Sequence, residues 1–218
     1  MSGILPILGH EELSAAEQTR IEIAHAGSPS SAMASSKQQA FAECLQDLQS
    51  VFDMHSQEFF LTDGTLLGCV REQKFIENDG DIDVGIFRHS LRPAALDALR
   101  RSPQFVRSRV LGKPEDSLEV SFMHRNGTPL DVMVFYPWNG ADMYYCPSFF
   151  GLCDDKPGGF CRWQRPVRGL EIVDFAGGQY KVPINAEEFL EWSYGPDWRT
   201  PKSFTYWEGL SGGYHNMV

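Results

Sequence analysis

The feature that most constrains the fold of this chain is the stretch DGDIDVGIF at residues 79–87. Branched apolar residues alternate there with other residues, and successive side chains of a strand point to opposite faces. The alternation predicts a strand over 81–87 whose core face carries Ile82, Val84 and Ile86. Asp81 and Asp83 then share the other face. Two carboxylates this close raise each other's pKa unless a cation lies between them, so the stretch predicts a divalent cation site.

A third carboxylate, Asp131, opens the apolar run LDVMVFY at residues 130–136, which we also predict to be a strand. A charge on an apolar strand is unfavourable unless it binds a cation. Hard oxygen ligands favour Mg²⁺ or Mn²⁺, and a third carboxylate leaves room for two ions. We therefore predict an Mg²⁺ or Mn²⁺ site formed by Asp81, Asp83 and Asp131. A solvated strand edge is the alternative interpretation of the Asp-x-Asp pair alone.

A turn at Asp63-Gly64-Thr65 follows the apolar run 59–61 and precedes a predicted helix over 65–72. Free backbone N–H groups and the helix dipole make such a helix start an anion site. Gly64 permits close approach of the backbone to a phosphate, and Thr65 can contact it. Arg71, further along the same helix, can reach a phosphate with its fork of N–H donors. A plain helix cap is the alternative interpretation of this turn.

Periodicity and turn residues predict the remaining elements. They are a helix that starts near Ser36, carries an apolar stripe over 41–52 and is capped by Ser35 or Ser36, a helix over 91–101, a strand over 118–123, a hairpin of 171–175 with 179–182, and a helix over 186–194. Residues 137–168 are dense in Pro, Gly and aromatic residues and receive no assignment. Together these elements predict an α/β (α+β) fold, in which a mixed sheet is flanked by helices.

The chain length and one polar segment predict the domain organisation. The segment 26–36, AGSPSSAMASS, has the composition of a linker, and 218 residues suit one globular domain. We therefore expect a flexible N-terminal extension at 1–35 and a single catalytic domain at 36–218.

Charge and cysteine content exclude several classes of protein. With 19 Lys and Arg against 29 Asp and Glu, the net charge is −10, so nonspecific nucleic-acid binding is not expected. An arginine cluster is interpreted as a solvated face near a helix end; its members are Arg100, Arg101, Arg107 and Arg109. Five cysteines do not suggest a disulfide framework, and no run is long enough to span a bilayer. We expect a cytoplasmic protein without a transmembrane segment, working at a membrane surface if its acceptor is lipid-linked.

Two other groups of residues have a chemical and a bland interpretation. One interpretation of the later cysteines is a Zn²⁺ site formed by Cys146, Cys153 and Cys161 with His124 or His215. The spacing of these cysteines differs from that of zinc knuckles, and this difference favours free thiols. A set of aromatic residues suits either stacking on a base or sugar, or packing in the core. The set is Trp138, Tyr144, Tyr145, Phe149, Phe150 and Trp163.

Residues 61–87, LTDGTLLGCVREQKFIENDGDIDVGIF, resemble the DGTLLGxxR…FIxxDxDIDV block of the LicD/fukutin family. LDVMVFY at 130–136 is similar to the family's third-carboxylate strand, and FLEWSYGPDWRTP at 189–201 to its closing segment. The resemblance implies a nucleotidyltransferase-like fold. It also implies transfer of a phosphoalkyl group, such as phosphocholine, ribitol phosphate or glycerol phosphate, from a CDP-activated donor to a hydroxyl of a glycan or glycolipid.

Carried over position by position, the resemblance implies metal-binding and catalytic roles for Asp81, Asp83 and Asp131, with Asp131 helping to deprotonate the acceptor. The residues expected to bind the donor are Asp63, Gly64, Thr65, Gly68, Arg71 and Asp79. Two alternatives stay open. One is a nucleotidyltransferase that moves NMP from an NTP to a small molecule, a protein or RNA. The other is a glycan- or nucleotide-binding module without catalysis.

Overall fold

A computed structural model of the protein describes residues 5–6, 34–150 and 159–202. The helices are α1 (Ala34–Met54), α2 (Asp63–Leu67), α3 (Pro93–Arg101) and α4 (Ala186–Tyr194). Helix α2 continues directly into a π-helical turn, Gly68–Glu72. None of the helices in these ranges combines the length and the apolar composition needed to cross a bilayer.

The strands in the described ranges form one large sheet and one hairpin. They are β1 (Leu5–Pro6), β2 (Phe60–Leu61), β3 (Ile82–Phe87), β4 (Phe105–Lys113), β5 (Asp116–His124), β6 (Pro129–Pro137), β7 (Met143–Phe150), β8 (Gly159–Pro166), β9 (Leu170–Phe175) and β10 (Gly178–Pro183).

The large sheet is mixed, which confirms the predicted fold class. One path through it runs β1-β8-β7-β6-β3-β2, while β5 pairs with β6 and β4 with β5. Strands β3 and β6 are parallel, and the other pairs are antiparallel. Because β6 lies between β3 and β5, the polar residues at the starts of β3 and β6 meet near the centre of the sheet.

Helix α1 confirms the predicted amphipathic stripe. Its apolar residues recur every three or four positions, and Cys44, Leu45, Leu48 and Phe52 are fully buried. The prediction of the cap is wrong. The helix begins at Ala34, so Ser35 and Ser36 lie inside it and not at its N-cap position. The domain boundary between residues 35 and 36 stays a prediction.

The core face of β3 is also confirmed, because Ile82, Val84 and Ile86 are fully buried. The predicted strands over 118–123 and 130–136 are present within β5 and β6. Both elements of the predicted hairpin form β9 and β10, joined at Ala176 and Gly177, which have φ angles of 50° and 80°. These positive φ values suit the tight turn of a hairpin.

Residues 137–168, which the sequence left unassigned, contain β7 and β8 entirely. The aromatic residues there pack against one another and against the sheet. Tyr145 stacks on Tyr136 with 5.0 Å between ring centroids, Trp138 meets Tyr145 edge-on, and Tyr144 lies 4.7 Å from Phe87. Packing therefore accounts for these rings. The side chains of Phe149 and Phe150 lie outside the described residues.

The described residues give no support to a zinc site at these cysteines. Cys146 is buried, and His124 is engaged with Asp47, at 3.0 Å between Nε2 and Oδ2. Cys153, His215 and the side chain of Cys161 lie outside the described residues.

Candidate active site

Three aspartates meet where the chain enters β3. Asp79 and Asp81 lie in the loop just before the strand, and Asp83 is its second residue. Each offers a carboxylate oxygen within 4.8 Å of the other two. All three side chains are partly exposed, so a bound ion or substrate can reach them. The structure thus brings together Asp81 and Asp83, as the alternation predicts, and adds Asp79.

Asp131 lies on the neighbouring parallel strand β6, where it is the register partner of Asp83. Adjacent strands are about 4.8 Å apart, so the two side chains are neighbours on one face. Asp131 is not one of the three closest carboxylates, but it flanks them. On its other side it pairs in register with Ser121 of β5, and Ser121 pairs with Arg109 of β4. A polar row therefore crosses four strands.

Arg109 and Glu119 extend this polar face, and sequence reasoning missed both. Arg109 donates a hydrogen bond of 2.8 Å to the buried Glu119 carboxylate, and its Nη2 lies 4.0 Å from Oδ2 of Asp131. The interpretation of Arg109 as part of a solvated face at a helix end is wrong, because Arg109 lies on β4 beside carboxylates. The arginines that do end α3, Arg100 and Arg101, are exposed as expected.

The crowding of carboxylates perturbs their pKa values. Burial raises the pKa of Asp81 to about 7, and the charges of Asp131 and Asp79 add to the effect. Burial and then the charge of Asp81 raise the pKa of Asp83 well above its usual range. Burial also raises the pKa of Asp131, although Arg109 opposes the shift. A cation among these groups would relieve the repulsion that holds them partly protonated.

The start of α2 is bonded directly to Asp83. The Gly64 N–H donates to Oδ2 of Asp83 at 3.1 Å, and the Asp83 N–H donates to the buried Thr65 hydroxyl at 2.9 Å. A Cβ at Gly64 would lie 2.2 Å from Oδ2 of Asp79, so a side chain at this position would displace the Asp79 carboxylate from its place beside the helix start. A Cβ at Gly68 would lie 2.7 Å from the Lys74 carbonyl oxygen. These residues position the helix against the carboxylates, and their contacts with a donor stay predictions.

Asp63 is held by an arginine that the sequence did not reveal. Its backbone adopts a left-handed conformation with φ 42°, which aspartate tolerates better than most residues. The two terminal nitrogens of Arg165 donate to its two carboxylate oxygens at 2.7 and 2.6 Å. Arg165 is only 1% exposed. It comes from β8, inside the segment that had no assignment, and no sequence signal pointed to it.

Two other cations near the site are engaged with the backbone. Arg71 donates to the Trp198 carbonyl at 3.2 Å and to Glu72 at 2.7 Å, so it connects the π-helical turn to the segment after α4. Lys37 of α1 donates to the carbonyl oxygens of Ile76 and Glu77 at 3.1 and 2.7 Å, and to that of Asp79. The predicted contact of Arg71 with a phosphate stays a prediction.

The donor atoms fit a hard divalent cation. Three carboxylate oxygens lie close together, a fourth carboxylate stands on the next strand, and one edge of the group remains accessible. Oxygen-only sites of this kind suit Mg²⁺ or Mn²⁺, which bind few protein carboxylates and keep positions for substrate oxygens. The residues therefore could bind a metal ion, and its identity is not fixed by the geometry.

Residues 56–185, more than half of the chain, match the family described as LicD/FKTN/FKRP, nucleotidyltransferase domain. The chain belongs to the LicD/FKTN/FKRP family. This confirms the resemblance found in the sequence, and the matched range contains all the aspartates of the candidate active site.

Several curated members of the LicD/FKTN/FKRP family are similar to the chain. It is 28% identical over 171 residues to the human ribitol-5-phosphate transferase FKTN, covering 76% of the chain and 34% of that protein. It is 28% identical over 155 residues to the mouse ribitol-5-phosphate transferase FKTN (69% and 31%) and 26% identical over 163 residues to the mouse ribitol 5-phosphate transferase FKRP (72% and 31%). The chain spans about a third of the length of these relatives.

Proposed function

We propose that this protein transfers a phosphoalkyl group, of the ribitol-, glycerol- or choline-phosphate type, from a CDP-activated donor to a hydroxyl of a glycan or glycolipid. The observation that carries the proposal is the convergence of Asp79, Asp81, Asp83 and Asp131 beside the start of α2. The relatives named ribitol-5-phosphate transferases support the choice of transferred group.

In this proposal, Asp81, Asp83 and Asp131 bind Mg²⁺ or Mn²⁺, with Asp79 close enough to contribute an oxygen. When bound, the cation supplies positive charge that offsets the donor's diphosphate and the charge that develops on its oxygens during transfer. Helix α2 and the first residue of the π-helical turn, Gly68, orient the donor. Gly64 keeps this backbone close to the carboxylates because it has no side chain to interfere.

The reaction exchanges one P–O bond for another. An acceptor hydroxyl oxygen attacks the phosphorus that bears the alcohol, and a new P–O bond forms. The bond from that phosphorus to the bridging oxygen breaks, and CMP leaves with that oxygen. The hydroxyl proton passes to a carboxylate, for which we propose Asp131, because it flanks the three closest carboxylates from the neighbouring strand β6.

The same carboxylates would serve the alternative reaction, transfer of NMP from an NTP. Incubation with Mg²⁺, a mixture of glycans, and either CDP-ribitol, CDP-glycerol, CDP-choline or the four NTPs separates the reactions by product. We expect CMP from one of the CDP-alcohols and no pyrophosphate from the NTPs. Pyrophosphate release without CMP release would support NMP transfer, and nucleotide binding without either product would support a non-catalytic module.

We propose the cytoplasm as the location, with the acceptor met at a membrane surface if it is lipid-linked. Cys44 and Cys69 are buried free thiols, which agrees with a reducing compartment. Fractionation of cells expressing a tagged chain tests this location directly.

A further inference from the structure

Four basic side chains stand around the carboxylates, and three of them have their hydrogen bonds committed elsewhere in the fold. Arg165 is buried against Asp63, Lys37 donates to backbone carbonyls, and Arg71 donates to Glu72 and to the backbone of Trp198. Releasing any of them to a substrate would undo a contact that holds the site together. Beside the metal ion of the proposed function, a basic side chain that contacts the phosphate would therefore be a fourth one.

Arg109 is more exposed than Arg71 and Arg165 and makes fewer hydrogen bonds. Its side chain is 34% exposed, against 12% for Arg71 and 1% for Arg165, and its one hydrogen bond within the described part of the chain goes to Glu119. A guanidinium carries five N–H donors, so Arg109 keeps donors for a ligand oxygen after its bond to Glu119.

The sheet register places Arg109 on the same face of the sheet as Asp131 and Asp83. Arg109, Ser121, Asp131 and Asp83 are successive register partners across β4, β5, β6 and β3. Arg109 therefore flanks Asp131 on the side away from α2. A phosphoryl group bridging the carboxylates would have the start of α2 on one side and Arg109 on the other.

Glu119 fixes the orientation of this arginine. Its carboxylate is 8% exposed and accepts from Nη2 at 2.8 Å, which leaves the other donors of the guanidinium fork for a ligand. Arginine is suited to this use because its planar fork matches two oxygens of one phosphate.

We propose that Arg109 binds the phosphoryl group that is transferred, with Glu119 as the positioning residue that orients its guanidinium. This inference rests on the proposed function, because it assigns a residue to the donor of that reaction. It moves the phosphate-binding arginine from Arg71, where the sequence resemblance placed it, to the far side of the carboxylates.

The test compares Arg109→Gln and Arg109→Lys with Arg107→Gln, a control two residues earlier on β4. Arg107 lines a cleft with Leu96, Val120 and Phe122 on the opposite face of the sheet. We expect Arg109→Gln to lower kcat/KM for the CDP-alcohol by on the order of 100-fold or more, because it removes a donor to developing charge. Arg109→Lys should recover part of that loss, and Arg107→Gln should match the wild type.

Two further measurements separate this role from a structural one. Mn²⁺ affinity, followed by electron paramagnetic resonance, should be unchanged in Arg109→Gln, while its affinity for CDP with Mg²⁺, followed by calorimetry, should fall. If Arg109→Gln unfolds because Glu119 loses its partner, the double variant Arg109→Gln/Glu119→Gln removes the unpaired charge and is measured instead. Wild-type CDP affinity and turnover, or loss of Mn²⁺ binding, would overturn the assignment.

The outcomes also distinguish this inference from the proposed function. If the wild type binds CDP but releases no CMP from any CDP-alcohol, the proposed function is contradicted. In that case a lower CDP affinity of Arg109→Gln would still support a contact between Arg109 and the phosphate, and an unchanged affinity would contradict it. A wild type that transfers normally beside an equally active Arg109→Gln contradicts only the assignment of Arg109.

Discussion

Removing the guanidinium of Arg165 should strongly destabilise the fold. Both terminal nitrogens of this 1% exposed residue donate to the Asp63 carboxylate, at 2.7 and 2.6 Å. Arg165→Met keeps the apolar part of the side chain and leaves the largely buried carboxylate unpaired. Breaking one partner of a buried ion pair costs about 3–5 kcal/mol. At roughly 2–4 °C per kcal/mol for a domain of this size, the melting temperature should fall by about 6–20 °C.

The assay is thermal and urea unfolding at neutral pH, with two comparison variants. The double variant Arg165→Met/Asp63→Asn removes the unpaired charge and should recover part of the loss. Arg168→Met breaks a pair with Glu188 in which the side chains are 54% and 37% exposed, and it should leave the melting temperature nearly unchanged because solvent screens the pair. If Arg165→Met proves as mild as Arg168→Met, the reasoning that Arg165 holds Asp63 in a largely buried environment is refuted.

Two further predictions concern the same site. Burial raises the pKa of Asp81 to about 7 and of Glu119 to about 8, so without metal the folded state retains protons that the unfolded chain has released. The melting temperature of the metal-free protein should therefore fall as pH rises from about 5 to 8.5. Mg²⁺ should raise the melting temperature more at pH 8.5 than at pH 5. A melting temperature of the metal-free protein that rises with pH would contradict this prediction. Gly68→Ala should cost about 1–3 kcal/mol in urea unfolding, because its Cβ would meet a backbone oxygen at 2.7 Å, whereas Gly80→Ala has open space and should be nearly neutral.

The parts of the site that lie close together in sequence could be predicted. Alternation over 81–87 identified the core face of β3 and placed Asp81 and Asp83 on the other face, because strand geometry alone decides which residues share a face. A helix start near Thr65 was predicted from a short turn and an amphipathic stretch, and α2 begins two residues earlier, at Asp63. The helix at Ala186–Tyr194 was predicted from its periodicity and the Gly-Pro that follows it.

The partners that come from distant strands could not be predicted. Arg165 reaches Asp63 across 102 positions of the chain, through a strand whose Pro, Gly and aromatic content hid its periodicity. Arg109 lies near a helix end in sequence, yet the pairing of β4 with β5 carries it to the carboxylates. Local pattern cannot show such pairings, because they depend on which strands become neighbours in the sheet.

The predicted cap of α1 was wrong for a different reason. Serine is common both before a helix and within its first turn, so a run of small polar residues does not fix the first residue of the helix. The structure begins α1 at Ala34, inside the segment that composition marked as a linker.

Titration with Mn²⁺, followed by electron paramagnetic resonance, tests most directly whether the carboxylates of Asp79, Asp81, Asp83 and Asp131 form a metal site. The comparison is between the wild type, Asp83→Asn, and Asp53→Asn, an exposed aspartate on α1 that serves as the matched control. We expect the wild type and Asp53→Asn to bind Mn²⁺ equally and Asp83→Asn to lose binding while remaining folded. Equal Mn²⁺ binding by all three proteins, or none by the folded wild type, would contradict the account.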